Sequence, residues 1–303
     1  MTRVVCIGEC MVELRAVGED GFARSYGGDV YNTAVYFKRA FGDAQVQFAS
    51  ATGDDGMSQA MRAVWRAHGI DDSLAFTVGG GLPGLYAIET DASGERRFQY
   101  WRGHSAARRW LALLLAAGES RLWGADIVYF SGITLAILDP AERQEAIALM
   151  RRLRGRVGTI AFDPNVRPKL WESPAIAAAV INSAIPVCDI LLPSMEDLTW
   201  LLRVDEPSRQ LDLLREMGVK EVALTLGAMG CAVADAETRV QFAAPAVDCV
   251  IDTSGAGDAF NGVYLAGRVQ GSTPAQAAEA ALLAASRVVT HAGAIVPARI
   301  SHP

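Results

Sequence analysis

Short apolar segments alternate with helical patterns along most of the chain, and this alternation constrains the fold more than any other feature. Strand-length apolar runs occupy residues 4–8, 46–52, 127–131, 159–163, 190–193 and 222–226. Helical periodicity falls between most of them, including residues 30–41, 57–68 and 138–153. Strands that are apolar throughout are buried on both faces. We therefore predict an α/β fold, with a mostly parallel central sheet flanked by helices.

A predicted β-hairpin interrupts this alternation. Residues 84–90 and 96–101 both have strand character, and residues 91–95 between them have the composition of a turn. With the strand-like residues 10–14 and 22–26, the hairpin predicts a small separate sheet. We expect this sheet to be a lid over the carboxyl ends of the main strands, where α/β folds bind ligands. Its strands fall within about residues 9–27 and 82–103 of one domain spanning residues 1–303.

Charge and composition exclude several classes of protein. The 303 residues carry a net charge of −6, which is unfavourable for a broad nucleic-acid surface, although one or two local arginines suffice for a small anion. No run of about 18 apolar residues indicates a membrane helix, and no signal-peptide pattern follows Met1. Five cysteines without a CxxC pair favour a reduced protein. We expect a cytoplasmic protein with neither nucleic-acid nor membrane partners.

The motif Asp-Thr-Ser-Gly-Ala-Gly-Asp-Ala-Phe at residues 252–260 carries the most chemical information. Its small residues open a helix, whose first backbone N–H groups are unpaired and attract anions. Gly255, Ala256 and Gly257 would let a phosphate approach these groups, and Asp258 in the first turn would accept a proton from an attacking hydroxyl. A generic four-residue match of Gly-Ala-Gly-Asp is more often only a tight turn with a helix cap. Phe260 stands where a dinucleotide fingerprint needs its third glycine, which disfavours a hydride-transfer enzyme.

The full nine-residue pattern resembles the signature of the ribokinase (PfkB) family of carbohydrate kinases. The resemblance implies a ribokinase-like fold and phosphoryl transfer from ATP with Mg²⁺. It also implies Asp258 as the general base, an anion hole at Gly255, Ala256 and Gly257, and a homodimer or higher homo-oligomer. Residues 27–34 resemble the family's first motif, in which Gly28, Asp29 and Asn32 would contact sugar hydroxyls. Helix capping is an equally good interpretation of Asp29.

Four further segments are similar to one branch of the family, the 2-keto-3-deoxygluconate kinases: residues 7–14, 82–86, 98–102 and 162–171. By that resemblance, Tyr86, Tyr100 and Arg102 contact the keto acid. Arg102 is the candidate for its carboxylate, because a guanidinium matches that group in a planar fork. The alternatives are a family kinase of a neutral sugar such as fructose or ribose, and a sugar-binding regulator without turnover.

The resemblance also assigns residues to ATP. Asn165 and Arg167 follow a buried strand and would lie near the phosphates, with Arg167 also near the sugar. The remaining candidates are Ser194, Thr225, Gly227 and Gly230, together with Gly255 and Gly257. The family often has Asn-x-x-Glu where this chain has Ser194 and Asp197, so either Glu196 or Asp197 would hold Mg²⁺ through water. This branch often has basic residues near Thr225, so only backbone contacts to ATP are expected there.

Overall fold

The computed structural model describes residues 1–18, 21–90 and 96–298, and these ranges contain fourteen strands and ten α-helices. The strands are β1 (Arg3–Ile7), β2 (Met11–Val17), β3 (Gly21–Gly27), β4 (Gln45–Gly53), β5 (Ile70–Asp71), β6 (Ala75–Val78), β7 (Gly84–Thr90), β8 (Arg96–Trp101), β9 (Ile127–Ser131), β10 (Thr159–Asp163), β11 (Ile190–Leu191), β12 (Glu221–Thr225), β13 (Cys231–Ala234) and β14 (Arg239–Phe242). The helices are α1 (Asp29–Ala40), α2 (Gly56–Ala67), α3 (Trp110–Ala117), α4 (Gly132–Ala136), α5 (Pro140–Leu153), α6 (Pro174–Ala184), α7 (Met195–Leu202), α8 (Pro207–Glu216), α9 (Ala256–Val269) and α10 (Pro274–Val288).

The main sheet has the strand order β14-β13-β12-β11-β10-β9-β1-β4-β5, and β6 also pairs with β4. The pairs from β12 through β4 to β5 and β6 are parallel, whereas β13 and β14 add antiparallel strands at one edge. The prediction of a mostly parallel central sheet is therefore confirmed.

Helices cover both faces of this sheet, as apolar strands require. Val128 and Phe130 point into a core beneath α3 to α8. Ile127 and Tyr129, one residue out of step, point into the core beneath α1, α2, α9 and α10. Because side chains alternate along a strand, each central strand supplies both cores.

A second sheet has the strand order β3-β2-β7-β8, with β2 and β7 parallel and the other pairs antiparallel. This sheet confirms the predicted small sheet, and β7 and β8 have the bounds predicted for the hairpin. The turn predicted at residues 91–95 lies outside the described residues.

Two local predictions are wrong. Asp29 is the first residue of α1 and does not cap it; the cap position is Gly28, which has no side chain. The strand predicted over residues 190–193 ends at Leu191, because the chain turns at Pro193 into the cap of α7 at Ser194. Within the described ranges, none of the helices has the length and apolarity needed to cross a membrane.

Candidate active site

A cleft of about 1230 Å³ lies where the carboxyl ends of the main strands face the small sheet. Strands β10, β11 and β12 deliver side chains to its base just after they end, and the start of α9 closes one side. Residues of β2, β7 and β8 form the opposite wall. This is the edge at which parallel α/β sheets bind ligands.

Asp258 lies in the first turn of α9 and faces the cleft. Its Oδ2 accepts a hydrogen bond of 2.8 Å from Nδ2 of Asn32 on α1. Burial raises the pKa of Asp258 to about 7, and the negative charge of Asp29 acts in the same direction, whereas Asn32 and Arg167 lower it. A carboxylate with a pKa near neutrality is suited to accept a proton from a substrate hydroxyl.

Asn32 is oriented by the same contact. With its amide nitrogen bound to Asp258, its Oδ1 is buried and has no hydrogen-bond partner within the described part of the chain. A buried acceptor without a partner is costly. A hydroxyl donor in the cleft would satisfy it.

Gly255 gives the start of α9 its shape. It caps the helix with φ of 76°, and a Cβ there would lie 2.5 Å from the carbonyl oxygen of Ala294. No side chain caps this helix. The first amides of α9 therefore lack the side-chain acceptor that many helices supply, and apart from the N–H of Ala256, which donates to the carbonyl of Thr253, they remain open to an anion.

The turn after β10 is held by three carboxylates. Asn165 has an unusual φ of 33° for a residue other than glycine. Its backbone N–H donates to Asp163 (2.9 Å) and its side chain donates to Asp29 (2.7 Å). The next N–H, of Val166, donates to Asp197 (2.7 Å). These bonds fix a sparsely populated backbone conformation immediately before Arg167, which faces the cleft.

The two candidate magnesium carboxylates differ in their surroundings. Asp197 is buried, and both its oxygens accept backbone N–H groups, from Val166 and Ser194. Glu196 is exposed at the cleft and makes no hydrogen bond or ion pair among the described residues. Those residues contain no group of three or more metal-binding side chains. A site with a single exposed carboxylate, that of Glu196, fits Mg²⁺, which keeps several waters and takes few protein ligands when phosphates are present.

The small sheet presents an aromatic surface to the cleft. Tyr86 and Tyr100 have ring centroids 5.7 Å apart, and Phe98 stacks beyond Tyr100 at 6.3 Å. The Tyr86 hydroxyl donates to the buried carboxylate of Glu13, which also accepts from Ser25 at 2.8 Å. Because its proton goes to Glu13, the Tyr86 oxygen is left as a hydrogen-bond acceptor toward the cleft.

Arg102 already has a partner. Its Nη2 binds Glu9, whose other oxygen accepts from Ser105, and Glu9 is only 2% exposed. Arg102 lines the cleft with its remaining donors, and its Nε is buried without a partner among the described residues. Arg167, in contrast, forms no ion pair within the described ranges.

The cleft brings together most of the residues that the sequence indicated. They are Gly28, Asp29, Asn32, Tyr86, Tyr100, Arg102, Asn165, Arg167, Ser194, Glu196, Asp197, Thr225, Gly255, Gly257 and Asp258. Three others do not line it in the described structure. Ala256 directs its N–H to the carbonyl of Thr253 (3.3 Å), whereas Gly227 and Gly230 shape the turn between β12 and β13. The functional roles of all these residues stay predictions.

Sequence reasoning missed Asn261 and Glu13, and gave Asp163 no role. Asn261 binds the carboxylate of Asp163 at the base of the cleft. A signal for Asn261 was available, since it lies three residues after Asp258 and therefore on the same face of the helix. Nothing in the sequence pattern distinguishes Glu13 from an exposed strand residue.

Comparisons with known proteins identify the family of the chain. The model of the pfkB family carbohydrate kinases matches residues 1–300. The 2-dehydro-3-deoxygluconokinase of Escherichia coli (strain K12) is 39% identical over 97% of this chain and 97% of its own. The enzyme of the same name from Dickeya dadantii is also 39% identical, over 97% and 96%.

A solved structure supports the fold. Aminoimidazole riboside kinase from Salmonella enterica, complexed with aminoimidazole riboside and an ATP analogue, superimposes with a TM-score of 0.83 at 25% identity. The match covers 98% of this chain and 97% of that one. The predicted ribokinase-like architecture is therefore confirmed, and the chain belongs to the pfkB family of carbohydrate kinases.

Proposed function

We propose that the protein transfers the γ-phosphate of ATP to the terminal 6-hydroxyl of 2-keto-3-deoxygluconate, also called 2-dehydro-3-deoxygluconate. The observation that carries the proposal is the pairing of Asp258 with Asn32 beside the start of α9, which no side chain caps. The names of the relatives that are 39% identical support the choice of substrate.

Asp258 acts as the general base in this mechanism. Asn32 holds its Oδ2, while Oδ1 makes no hydrogen bond within the described part of the chain and accepts the proton of the substrate hydroxyl. The deprotonated oxygen attacks the γ-phosphorus in line with the departing ADP. The amides at the start of α9 stabilise the charge that develops on the transferring group.

Cations around the cleft complete the phosphate site. Arg167 neutralises charge on the moving phosphoryl group, as arginines do in phosphoryl transfer. A bound Mg²⁺ would supply positive charge at the phosphates, and Glu196 is the carboxylate that would hold it through water ligands. Asp197 then acts through the turn before Arg167, since both its oxygens are engaged by backbone N–H groups.

The keto acid is recognised from the small sheet. Its carboxylate meets the remaining donors of Arg102, and its hydroxyls donate to Tyr86 on this sheet and to Asn32 on α1 across the cleft. Tyr100 packs over the sugar and limits access of water.

A second candidate, phosphorylation of a neutral sugar such as fructose or ribose, is favoured by one observation. Glu9 already balances the charge of Arg102, so that arginine exerts less attraction on a substrate carboxylate than an unpaired one would. In this case Arg102 fixes the orientation of the small sheet, and substrate charge has little effect on KM.

The deciding experiment measures ATP- and Mg²⁺-dependent ADP release with 2-keto-3-deoxygluconate, fructose and ribose. Wild type is compared with Asp258→Asn and with Asp43→Asn, a substitution of an exposed residue that does not line the cleft. We expect the keto acid to be preferred, Asp258→Asn to lower kcat by about 10²–10⁴-fold, and Asp43→Asn to match wild type. Turnover of a neutral sugar alone would select the second candidate. Sugar binding without any turnover would identify a regulator.

A further inference from the structure

We infer that Asp163 and Asn261 are positioning residues: their buried hydrogen bond holds the helix that carries the base in register with the turn that carries Arg167. The inference deepens the proposed function and rests on Asp258 being the base. Neither side chain needs to touch the substrate for this role.

Asp163 connects two parts of the site. It stands at the end of β10 and is 8% exposed. Its Oδ1 accepts the N–H of Asn165 (2.9 Å), within the turn that leads to Arg167. Its Oδ2 accepts Nδ2 of Asn261 (2.8 Å), from the middle of α9. The carboxylate of Asp163 therefore connects the turn after β10, which leads to Arg167, with α9, which carries Asp258.

Asn261 is placed to transmit this link to Asp258. The two residues are three positions apart and share a helical face, so a shift of one moves the other. Asn261 is 2% exposed, and its Nδ2 also lies 3.3 Å from the hydroxyl of Tyr129, which in turn lies 3.4 Å from Oγ1 of Thr33. The amide is thus fixed by groups from β9, β10 and α1.

The C-terminal half of α9 is attached to the sheet by a second set of hydrogen bonds, here called the other anchor of α9. It can be compared with the bond between Asn261 and Asp163. Arg268 and Tyr264 both bind the carboxylate of Glu221 on β12 at 2.8 Å. This anchor holds the same helix against the same sheet but does not line the cleft. If Asn261 contributed only stability, loss of either anchor would have the same kind of effect.

Positioning matters here because phosphoryl transfer depends on alignment. A displacement of about 1 Å between reacting groups costs on the order of 10² in rate. The turn before Arg167 includes the strained residue Asn165, which relaxes unless its partners hold it. The bond between Asp163 and Asn261 therefore governs the distance between the base and the phosphate-binding arginine.

The test exchanges donor and acceptor. Asn261→Leu keeps a side chain that branches at Cγ, although a larger one, and breaks the bond. Asp163→Asn combined with Asn261→Asp rebuilds it with reversed polarity, and the hydroxyl of Tyr129 then donates to the new carboxylate. Glu221→Gln is the matched control, because it weakens the other anchor of α9.

We expect Asn261→Leu to lower kcat by about 10²-fold with little change in KM for ATP or sugar, since every binding group is retained and only the alignment of Asp258 with Arg167 changes. The exchange variant should recover kcat to within about tenfold of wild type. Glu221→Gln should lower the melting temperature while kcat at 25 °C stays close to wild type. Steady-state kinetics with 2-keto-3-deoxygluconate and thermal unfolding provide the readouts.

The inference is overturned if Asn261→Leu retains wild-type kcat, or if Glu221→Gln lowers kcat to the same extent. If Asn261→Leu does not fold, Asn261→Asp replaces it as the reference. An exchange variant whose kcat is no higher than that of this reference also overturns the inference. Asp258→Asn, measured in parallel, separates this idea from the proposed function. If Asp258→Asn keeps wild-type turnover, the assignment of Asp258 as the general base is wrong. If Asp258→Asn is inactive while Asn261→Leu has wild-type activity, only the positioning role is wrong.

Discussion

The base of the cleft and the small sheet above it differ in what holds their functional side chains. At the base, backbone N–H groups and buried amides fix the carboxylates, as Asp197 and Asp163 illustrate. On the small sheet and at its ends, side chains hold one another: Glu13 of β2 binds Tyr86 of β7, and Glu9, just before β2, binds Arg102, just after β8. Side-chain pairs on a thin sheet adapt more readily than groups fixed by the main-chain framework. We infer that the base of the cleft sets the chemistry and the small sheet sets the substrate.

The largest effect that tests this division is expected at Gly257. A methyl group there meets no heavy atom within 4 Å, and alanine suits a helix better than glycine. It would nevertheless occupy the space through which a phosphate reaches the amides at the start of α9. We expect Gly257→Ala to keep or raise stability while kcat/KM for ATP falls by about 10², the value of one lost anion-hole donor.

Gly255→Ala is the comparison variant. It combines a positive φ with a 2.5 Å approach to the carbonyl of Ala294, so it should also lower stability, by about 1–3 kcal/mol. Steady-state kinetics and thermal unfolding of both variants provide the measurements. Unchanged kcat/KM in Gly257→Ala would show that the phosphate does not bind at the start of α9.

A smaller effect, confined to one substrate class, is expected at Arg102. Truncating Arg102 alone leaves Glu9 buried and unpaired, at a cost of about 3–5 kcal/mol that obscures any effect on binding. In the Glu9→Gln background, Arg102→Leu should raise KM for 2-keto-3-deoxygluconate at least about tenfold, through loss of a charge-assisted hydrogen bond. KM for fructose should stay the same.

Glu9→Gln alone is the control, because it keeps the cation. Competition assays with the keto acid and with fructose give the two KM values. Equal effects on both substrates would mean that Arg102 serves only to hold the small sheet in place, and would favour a neutral sugar as the substrate.

The same division explains which features the sequence could predict. Residues 127–131 and 159–163 match β9 and β10 to the residue, because a strand buried on both faces must be apolar throughout. Asp258 was placed in the first helical turn from the composition of its own motif. The local sequence pattern is enough to predict the position of a side chain where the backbone of its own helix or strand fixes that position.

The pairings that the sequence could not predict are tertiary. Asn261 reaches Asp163 across 98 residues, and Arg102 reaches Glu9 across 93. No periodicity encodes such contacts, since each partner also fits an ordinary surface or core position. The sequence therefore indicated a cation for the substrate without revealing the carboxylate that already compensates it.

The acidic limb of the pH profile of kcat/KM is expected to shift by less than one pH unit in Asp29→Asn. This shift tests only the residues at the bottom of the cleft. A general base must be deprotonated, so with the pKa of Asp258 at about 7, kcat/KM should fall as the pH drops below 7. Burial is the main cause of the raised pKa, and Asp29 adds to it. Asp29→Asn removes a negative neighbour, which lowers the pKa of Asp258 and moves the acidic limb to lower pH.

Rates measured from pH 5.5 to 9 in one buffer system provide the test. Glu13→Gln, a substitution of a buried carboxylate on the small sheet, is the control and should leave the limb in place. A limb that stays fixed in Asp29→Asn would mean that burial alone sets the pKa. A limb that moves to higher pH would contradict the sign of the coupling.

The smallest effect is expected at Tyr100, on the opposite wall of the cleft. This residue is 52% exposed, and its hydroxyl makes no hydrogen bond within the described ranges. Tyr100→Phe keeps the ring that stacks on Phe98 and Tyr86, and removes only a polar contact available to the substrate. We expect KM for the sugar to rise about threefold with kcat unchanged, because a neutral hydrogen bond near solvent contributes little. Gln99→Ala, whose side chain points to the other face of β8, should change neither parameter. A loss of kcat in Tyr100→Phe would show that the small sheet takes part in aligning the reacting groups, and the assignment of chemistry to the base of the cleft alone would then be wrong.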